Sequence, residues 1–163
     1  MSEYSIDRLG FETIKKVKSV THKPVFVKLT PNVSNITELA KVAEEAGADA
    51  VTAINTIKAM IIDIETGKPV LGGKIGGLSG SAIKPIAIRC VYEIFREINI
   101  PVIGCGGISN WMDAVEFFMA GASAIQIGTA VIHKDLKVFG EILQGLNYYL
   151  EKKNIKNVKE IVG

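Results

Sequence analysis

The 163-residue sequence has few of the residues that build disulfide frameworks, metal clusters and nucleic-acid interfaces. It contains two cysteines, Cys90 and Cys105, and two histidines, in no spacing that would hold zinc or an iron–sulfur cluster. Basic residues exceed acidic residues only by 19 to 17, and the lysine groups fit solvated helix faces. We therefore expect reduced thiols, no metal site and no binding to nucleic acid.

The sequence also lacks a long apolar run and a recognisable signal peptide. No apolar stretch approaches the roughly 20 residues that a membrane-spanning helix needs. The N-terminal segment, Met1 to Gly10, mixes charged residues with few apolar ones, unlike a secretory signal. We expect a soluble, cytoplasmic protein that does not bind a membrane.

The apolar residues that are present alternate between helical and strand spacing. A leading helix is predicted over residues 9–20. Strands are predicted over residues 25–29, 50–54, 101–104 and 124–127. Each strand is followed by a predicted helix, over residues 36–46, 82–98, 111–120 and 136–152. Four such βα units are typical of a parallel sheet with right-handed crossovers and predict an α/β fold.

One long segment, residues 56–81, interrupts this alternation and is rich in glycine. An irregular segment of this length is more often a functional loop or lid than a plain connector. Within it, residues 61–70 alternate and turn, which predicts a hairpin.

Two architectures fit four βα units: an open doubly wound sheet, and half of an eight-stranded barrel. In both, ligands bind at the carboxyl ends of the strands, where Lys28, Asn55, Gly106 and Gly128 lie. Glycines after the last two strands are the arrangement with which barrels bind a phosphate.

Two glycine-rich turns predict a phosphate-binding cradle. Gly104-Cys105-Gly106-Gly107 ends the third strand, and Gly128-Thr129 follows the fourth. Glycine lets backbone N–H groups approach an anion, and a helix starting just beyond adds the positive end of its dipole. Gly80, just before a predicted helix, can supply a third N–H. The turns match neither a Walker loop nor a GxGxxG fingerprint, so the kind of phosphorylated ligand stays open.

Lys28 and the pair Asn55-Thr56 are polar candidates at two other strand ends. Lys28 interrupts an apolar strand, where an ammonium is costly unless it reaches a ligand, a carboxylate or water. Its aliphatic stem could equally carry the charge to solvent. Asn55 directly follows a strand and is either a ligand contact or an ordinary turn former.

No residue of the sequence is predicted to act as a catalytic acid, base or nucleophile. The two histidines, His22 and His133, lie outside strand ends, and no Ser/His/Asp grouping is visible. Cys105 lies beside the glycine turn, where a cysteine is more often a small packing residue than a nucleophile. The sequence therefore shows binding groups without a general base.

Five motifs occur in a recognisable order. They are Val27-Lys28-Leu29-Thr30-Pro31-Asn32, Ala53-Ile54-Asn55-Thr56, Gly76-Gly77-Leu78-Ser79-Gly80 before Ile83-Lys84-Pro85, Gly104-Cys105-Gly106-Gly107-Ile108, and Gln126-Ile127-Gly128-Thr129-Ala130. Together they closely resemble the class I dihydroorotate dehydrogenases, particularly the NAD-linked subclass. The resemblance runs from about Gly10 to the C-terminus and is highly specific, because all five motifs keep their order.

The resemblance implies a (β/α)8 TIM barrel, of which this chain would be the C-terminal half. It also implies FMN-dependent oxidation of dihydroorotate to orotate in pyrimidine biosynthesis. By matching position, Lys28 would contact the pyrimidine end of the flavin, and Ile54 would pack against the flavin. Asn55 and Thr56 would bind the substrate. The residues matching the contacts to the FMN phosphate are Gly80, Gly106, Gly107, Gly128 and Thr129.

Two features depart from the family pattern. Family members have a further first half, which supplies four strands and the cysteine that serves as catalytic base. Residues 1–8 match no part of the pattern clearly, and we expect a disordered or unrelated leader before one half-barrel domain. The chain fits a truncated product, an isolated half-barrel or one part of a split enzyme, and alone it is predicted to be inactive.

The resemblance also implies partners, and two other functions stay open. A half-barrel is expected to bind its missing half, or to self-associate through its unpaired first and last strands. In the NAD-linked subclass, electrons reach NAD through a separate subunit that carries FAD and an iron–sulfur cluster. The other functions are a non-catalytic phosphate- or flavin-binding scaffold and a fragment of the flavin domain of a dihydropyrimidine dehydrogenase.

Overall fold

The computed structural model describes the backbone of residues 3–163 and the side chains of residues 9–163. The strands are β1 (Phe26–Leu29), β2 (Ala50–Ala53), β3 (Ile57–Ala59), β4 (Ile62–Asp63), β5 (Lys68–Pro69), β6 (Gly76–Leu78), β7 (Val102–Cys105) and β8 (Ala124–Gln126). The α-helices are α1 (Glu3–Val20), α2 (Ile36–Glu45), α3 (Lys84–Phe95), α4 (Trp111–Met119), α5 (Thr129–Lys134) and α6 (Lys137–Lys152). Short 3₁₀-helices cover Ser81–Ile83 and Val158–Ile161.

All the strands and helices predicted from the sequence are present, and apart from the start of the leading helix their ends lie within about three residues of the prediction. The leading helix begins at Glu3 rather than at Leu9, because helix propagation adds a hydrogen bond per residue without needing further apolar spacing. Residues 3–8 of the expected leader therefore form the start of α1, and residues 1–2 lie outside the described part of the chain. The apolar pattern of the sequence does not predict α5, because this helix is too short to show a periodic repeat.

The central sheet has four parallel strands in the order β1-β2-β7-β8. Each strand is added on the same side of the previous one, whereas a doubly wound sheet reverses direction at a switch point. The helices also follow one another, with α1 beside α2, α2 beside α3, α3 beside α4, and α4 beside α6. Of the two architectures that fit the sequence, the protein therefore has the partial (β/α)8 barrel.

The core lies between this sheet and its layer of helices. Val51 of β2 is in register with Val27 of β1 and Val102 of β7, and strand alternation directs all three side chains to one face. Val51 is fully buried, as is Phe117 of α4. A Cβ at Gly104 would overlap the Phe117 ring, so glycine lets α4 pack closely over the end of β7. This close packing fixes the position of the turn that follows β7.

The long insertion between β2 and α3 forms two small antiparallel ribbons, β3 with β6 and β4 with β5. The β4–β5 hairpin confirms the prediction for residues 61–70. Its turn is stabilised by Asp63 Oδ1, which accepts hydrogen bonds from the backbone N–H groups of Glu65 and Thr66. The pairing of β3 with β6 is not predicted, because the glycines of β6 disfavour a strand. This pairing holds both ends of the insertion together.

The edges of the central sheet are β1 and β8, as predicted. Phe26 of β1 is 56 % exposed, which leaves an apolar side chain at one edge. In the described part of the chain, no helix combines the length and the apolar character needed to cross a membrane.

Candidate functional site

A cavity of about 520 Å³ opens where the four central strands end. This volume lies in the range of small-molecule and cofactor sites. The cavity is lined by all nine residues that the sequence analysis assigns to cofactor or substrate, namely Lys28, Ile54, Asn55, Thr56, Gly80, Gly106, Gly107, Gly128 and Thr129. They meet because parallel strands in a barrel present their carboxyl ends at one face.

The turn after β7 adopts conformations that favour glycine. Gly106 has φ +133° and Gly107 has φ +79°. A Cβ on Gly107 would lie 2.9 Å from the carbonyl oxygen of Gly80 and 2.8 Å from Cβ of Lys84. Glycine at position 107 therefore allows the turn after β7 to pack closely against residues 80–84, which precede it by more than 20 residues in the sequence.

The turn after β8 leaves space in front of its backbone. A Cβ on Gly128 would meet no protein atom within 4 Å. The next residue, Thr129, begins α5, and its Oγ1 donates a hydrogen bond to Ser79 Oγ at 2.8 Å. Gly80, with φ +86°, follows Ser79 and lies beside the Thr129 methyl group. The end of the insertion and the start of α5 thus form one wall of the cavity.

A charged network fixes the glycine turn to the neighbouring helices. Lys84 Nζ donates hydrogen bonds to Asp113 Oδ1 at 2.7 Å and to Glu116 Oε1 at 2.9 Å. Asp113 Oδ2 accepts hydrogen bonds from the backbone N–H and the hydroxyl of Ser109, at 2.8 and 2.9 Å. Because Ser109 lies two residues beyond Gly107, the network determines how the turn leaves the cavity.

The two main partners of this network are both charged. Burial acts to raise the pKa of Asp113, but the hydrogen bonds from Lys84 and Ser109 outweigh it and hold that pKa below its usual value. The hydrogen bonds to Asp113 and Glu116 raise the pKa of Lys84. Since each charge has hydrogen-bonded partners, the buried carboxylate of Asp113 is stable in this position.

Lys28 and Cys105 meet across the floor of the cavity, with Lys28 Nζ 3.4 Å from Cys105 Sγ. Lys28 is in register with Thr52 of β2, which in turn is in register with Ile103 of β7. The lysine side chain therefore extends across the end of β2 to reach a residue two strands away. Among residues 9–163, no carboxylate forms an ion pair with Lys28. Lys28 therefore lines the cavity without a carboxylate partner among residues 9–163.

Asn55 and Thr56 are held at the end of β2 by the loop after β1. The Asn55 side chain accepts a hydrogen bond from the Thr56 N–H at 2.9 Å. Asn32 Nδ2 donates to the Thr56 carbonyl at 2.9 Å, and Asn32 Oδ1 accepts from the Lys58 N–H at 2.8 Å. One asparagine side chain thereby fixes the segment in which Asn55 and Thr56 lie.

Further residues line the cavity to which the sequence analysis gives no role. They are Ser79, Ser81, Ala82, Ile83, Cys105, Ile108, Ser109, Gln126, Ala130 and His133. Gln126 is a polar residue at the end of β8. A polar residue at a strand end is the same feature that makes Asn55 a candidate, so Gln126 could have been predicted in the same way. His133 could not have been predicted from a strand end, because it belongs to α5, a helix that the apolar pattern does not predict.

The residues with described side chains include no group of three or more His, Cys, Asp or Glu that could hold a metal ion. Both cysteines are free thiols. Cys90 lies on the buried face of α3, and burial raises the pKa of its thiol, as expected for a packing residue.

The family model for dihydroorotate dehydrogenase matches residues 5–150. The chain belongs to the dihydroorotate dehydrogenase family. This membership confirms the family resemblance that the five motifs predict.

The chain is similar to catalytic subunits of dihydroorotate dehydrogenase B (NAD(+)) from several organisms. Over 153 residues it is 56 % identical to that of Pyrococcus abyssi and 58 % identical to that of Caldicellulosiruptor bescii, covering 94 % of this chain and 51 % of each relative. Over 147 residues it is 54 % identical to that of Methanosarcina mazei, covering 90 % of this chain and 46 % of the relative. The chain spans about half the length of the curated relatives it matches, which agrees with the half-barrel prediction.

Proposed function

We propose that this chain supplies the flavin- and substrate-binding half of an FMN-dependent dihydroorotate dehydrogenase, which oxidises dihydroorotate to orotate in pyrimidine biosynthesis. The observation that carries the proposal is that all nine residues matched to the family's motifs line one cavity. Family membership and the similarity to catalytic subunits of dihydroorotate dehydrogenase B support the reaction.

The glycine turns fit the phosphate end of FMN. The open space in front of Gly128 lets an anion approach the backbone directly, and Thr129 adds a hydroxyl. Gly106 and Gly107 turn with positive φ on the facing side of the cavity, and Gly80 lies between the two turns. When bound, FMN would supply the acceptor for the hydride that leaves the substrate.

Lys28 and Ile54 fit the ring end of the flavin. The Lys28 ammonium would stabilise negative charge on the reduced ring, since a fixed cation in a cavity wall stabilises charge that develops beside it. Ile54 is 2 % exposed and would offer the ring a rigid apolar contact. These two residues would select a planar ring that gains negative charge at one end.

Asn55 and Thr56 fit the binding of a pyrimidine substrate. An asparagine amide offers donors and an acceptor, and a threonine hydroxyl offers both, which suits a ligand with carbonyl, N–H and carboxylate groups. Asn32 holds the segment that contains both residues, so their side chains are positioned before a substrate binds.

We propose that the chain alone does not oxidise dihydroorotate. Removal of a proton from carbon needs a base within hydrogen-bond reach, and none of the cavity residues is assigned that role. Purified chain incubated with FMN, dihydroorotate and an electron acceptor is expected to form no orotate, as measured by absorbance or chromatography. Orotate formation above the protein-free rate would contradict this part of the proposal.

The proposal includes partners for the open barrel. The edge strands β1 and β8 would pair with a complementary half-barrel or with a second copy, because their outer N–H and C=O groups need partners. A subunit carrying FAD and an iron–sulfur cluster would take electrons onward to NAD. The free thiols of Cys90 and Cys105 favour a reducing, cytoplasmic location.

A non-catalytic half-barrel scaffold is the second candidate, and the exposed edge strands favour it. Titration of the protein with FMN separates the two, with flavin fluorescence as the signal. Saturable binding supports the flavin site, whereas no binding at high micromolar FMN supports the scaffold. The similarity over 94 % of this chain to a catalytic subunit of dihydroorotate dehydrogenase B favours the flavin-site proposal over a fragment of a dihydropyrimidine dehydrogenase.

A further inference from the structure

We infer that Cys105 is a positioning residue for Lys28, whose ammonium it holds by a hydrogen bond at the place where the flavin ring would gain negative charge. The inference rests on the proposed function of Lys28. It adds a role for a cavity residue that the family motifs leave without one.

The contact joins a strand-end cysteine, whose backbone is held on both sides, to a long and exposed lysine side chain. Cys105 ends β7, where its carbonyl accepts a hydrogen bond from Ile54 N–H at 2.7 Å and its backbone is in register with Gln126 of β8. The Lys28 side chain has a rotamer entropy of about 2 kcal/mol to lose when it is ordered. A thiol on a fixed strand can therefore restrict where the ammonium lies.

The Cys105 contact also leaves the charge available to a ligand. Lys28 forms no ion pair with a carboxylate of residues 9–163, and its Nζ lies 3.4 Å from Cys105 Sγ. An ammonium has three donors, and the thiol is a weak acceptor that uses only one of them. A carboxylate in the place of Cys105 would neutralise the charge, whereas a thiol orients it.

An oriented cation should change the midpoint potential of bound FMN more than it changes the affinity of the protein for oxidised FMN. The reduced ring is the form that carries negative charge, and preorganised charge stabilises the state in which charge develops. If the thiol is removed, the ammonium occupies more rotamers. The ratio of the dissociation constants of oxidised and reduced FMN should then fall by about two- to fivefold, as for a modest hydrogen bond.

A double-mutant cycle on the whole chain tests the inference. The variants are Cys105→Ala, Lys28→Met and the double variant, and the measurement is the midpoint potential of bound FMN at saturating flavin. Both single variants are expected to lower the potential, with the larger effect for Lys28→Met. Cys105→Ala should have no further effect once Lys28 is methionine, because the thiol acts only through the ammonium. Cys105→Ser, which retains an acceptor, should restore most of the potential.

A packing role for Cys105 makes a different prediction. The Cys105→Ala shift would then be the same with lysine or methionine at position 28, and serine would not restore it. Either result, or no shift in Cys105→Ala, would overturn the inference. Circular dichroism of each variant checks that the fold is retained.

Alkylation of Cys105 separates the failure of this inference from the failure of the proposed function. FMN that fills the cavity should protect Cys105 from iodoacetamide, while buried Cys90 reacts slowly throughout and is the internal reference. Protection together with a non-additive cycle supports both claims. Protection with an additive cycle overturns only the positioning role. No protection and no FMN binding would overturn the flavin site, and the positioning role with it.

Discussion

Lys84 Nζ lies 2.7 Å from Asp113 Oδ1, and this ion pair joins the start of α3 to the first turn of α4. The two residues flank the turn after β7, since Gly107 packs against Lys84 and Ser109 donates to Asp113. The glycines that would face a phosphate are therefore fixed by a charged network whose ion-paired residues, Lys84 and Asp113, are not among the cavity-lining residues. This separation lets the network be altered without touching the proposed ligand contacts.

Asp113→Asn should destabilise the protein by about 1–3 kcal/mol, because it removes a charged partner from Lys84 and weakens the hydrogen bonds to Ser109. Urea unfolding followed by circular dichroism measures the change. Glu93→Gln is the matched control, since it removes the exposed ion pair with Arg89 and should change stability by less than about 0.5 kcal/mol. Equal effects of the two substitutions would show that the network does not stabilise the turn.

The difference in stability between wild type and Asp113→Asn should depend on pH. The pKa of Asp113 is lowered in the folded protein, so its carboxylate contributes stability at pH values above about 4, the ordinary pKa of an aspartate. That contribution is lost as the pH falls through the folded pKa. Urea midpoints measured from pH 7 to pH 3 should therefore converge at the acid end. A constant difference across this range would contradict the assignment.

The two glycine turns should respond differently to alanine. Gly107→Ala should destabilise the fold by about 1–3 kcal/mol or more, because φ is +79° and the new Cβ would meet Gly80 and Lys84. Gly128→Ala should leave stability nearly unchanged, since its Cβ would meet no protein atom within 4 Å. It should nevertheless weaken FMN binding by about tenfold, because the methyl group would occupy the space proposed for the phosphate.

Gly140→Ala is the control for Gly128→Ala. A Cβ at Gly140 would also meet no atom within 4 Å, but Gly140 lies in α6 and not among the cavity residues. This variant should bind FMN as the wild type does and should be stabilised by about 0.5–1 kcal/mol, as expected for alanine in a helix. Unchanged FMN affinity in Gly128→Ala, measured by fluorescence titration, would argue against a phosphate at that turn.

The sequence predicted the βα units and the cluster of strand-end residues because both depend on local patterns. Apolar spacing identifies buried strands such as β2, and residues after parallel strands must meet at one face. The charged network could not be predicted in the same way. Lys84 and Asp113 are 29 residues apart, and neither has a local signal for its partner. The same holds for Lys28 and Cys105, which only the strand order brings together.

The short helix α5 and the β3–β6 ribbon also have no local pattern in the sequence that predicts them. α5 has six residues and no room for a repeating apolar stripe. β6 begins with two glycines, which disfavour a strand, and its pairing depends on contact with β3. Both lie beside the cavity, where tertiary contacts override local preference.

The open edges of the sheet should cause self-association of the isolated chain. Size-exclusion chromatography with light scattering should show a mass above that of a monomer, which increases with concentration. Phe26→Glu should shift the protein toward monomer, because it places a charge on the exposed edge of β1. Ile86→Glu is the control on α3, which packs on the inner strand β7 and lies away from both edges. Monomeric wild type at high concentration would contradict the expectation.

An FMN site formed by the glycine turns and Lys28 can be tested by titrating the protein in parallel with FMN and with riboflavin. The two flavins share the ring and differ in the phosphate. FMN should bind at least about tenfold more tightly than riboflavin, because charge-assisted hydrogen bonds to the phosphate are worth about 1.5–3 kcal/mol. Equal affinities, or no binding of either flavin at high micromolar concentration, would show that the glycine turns do not form a phosphate-binding FMN site.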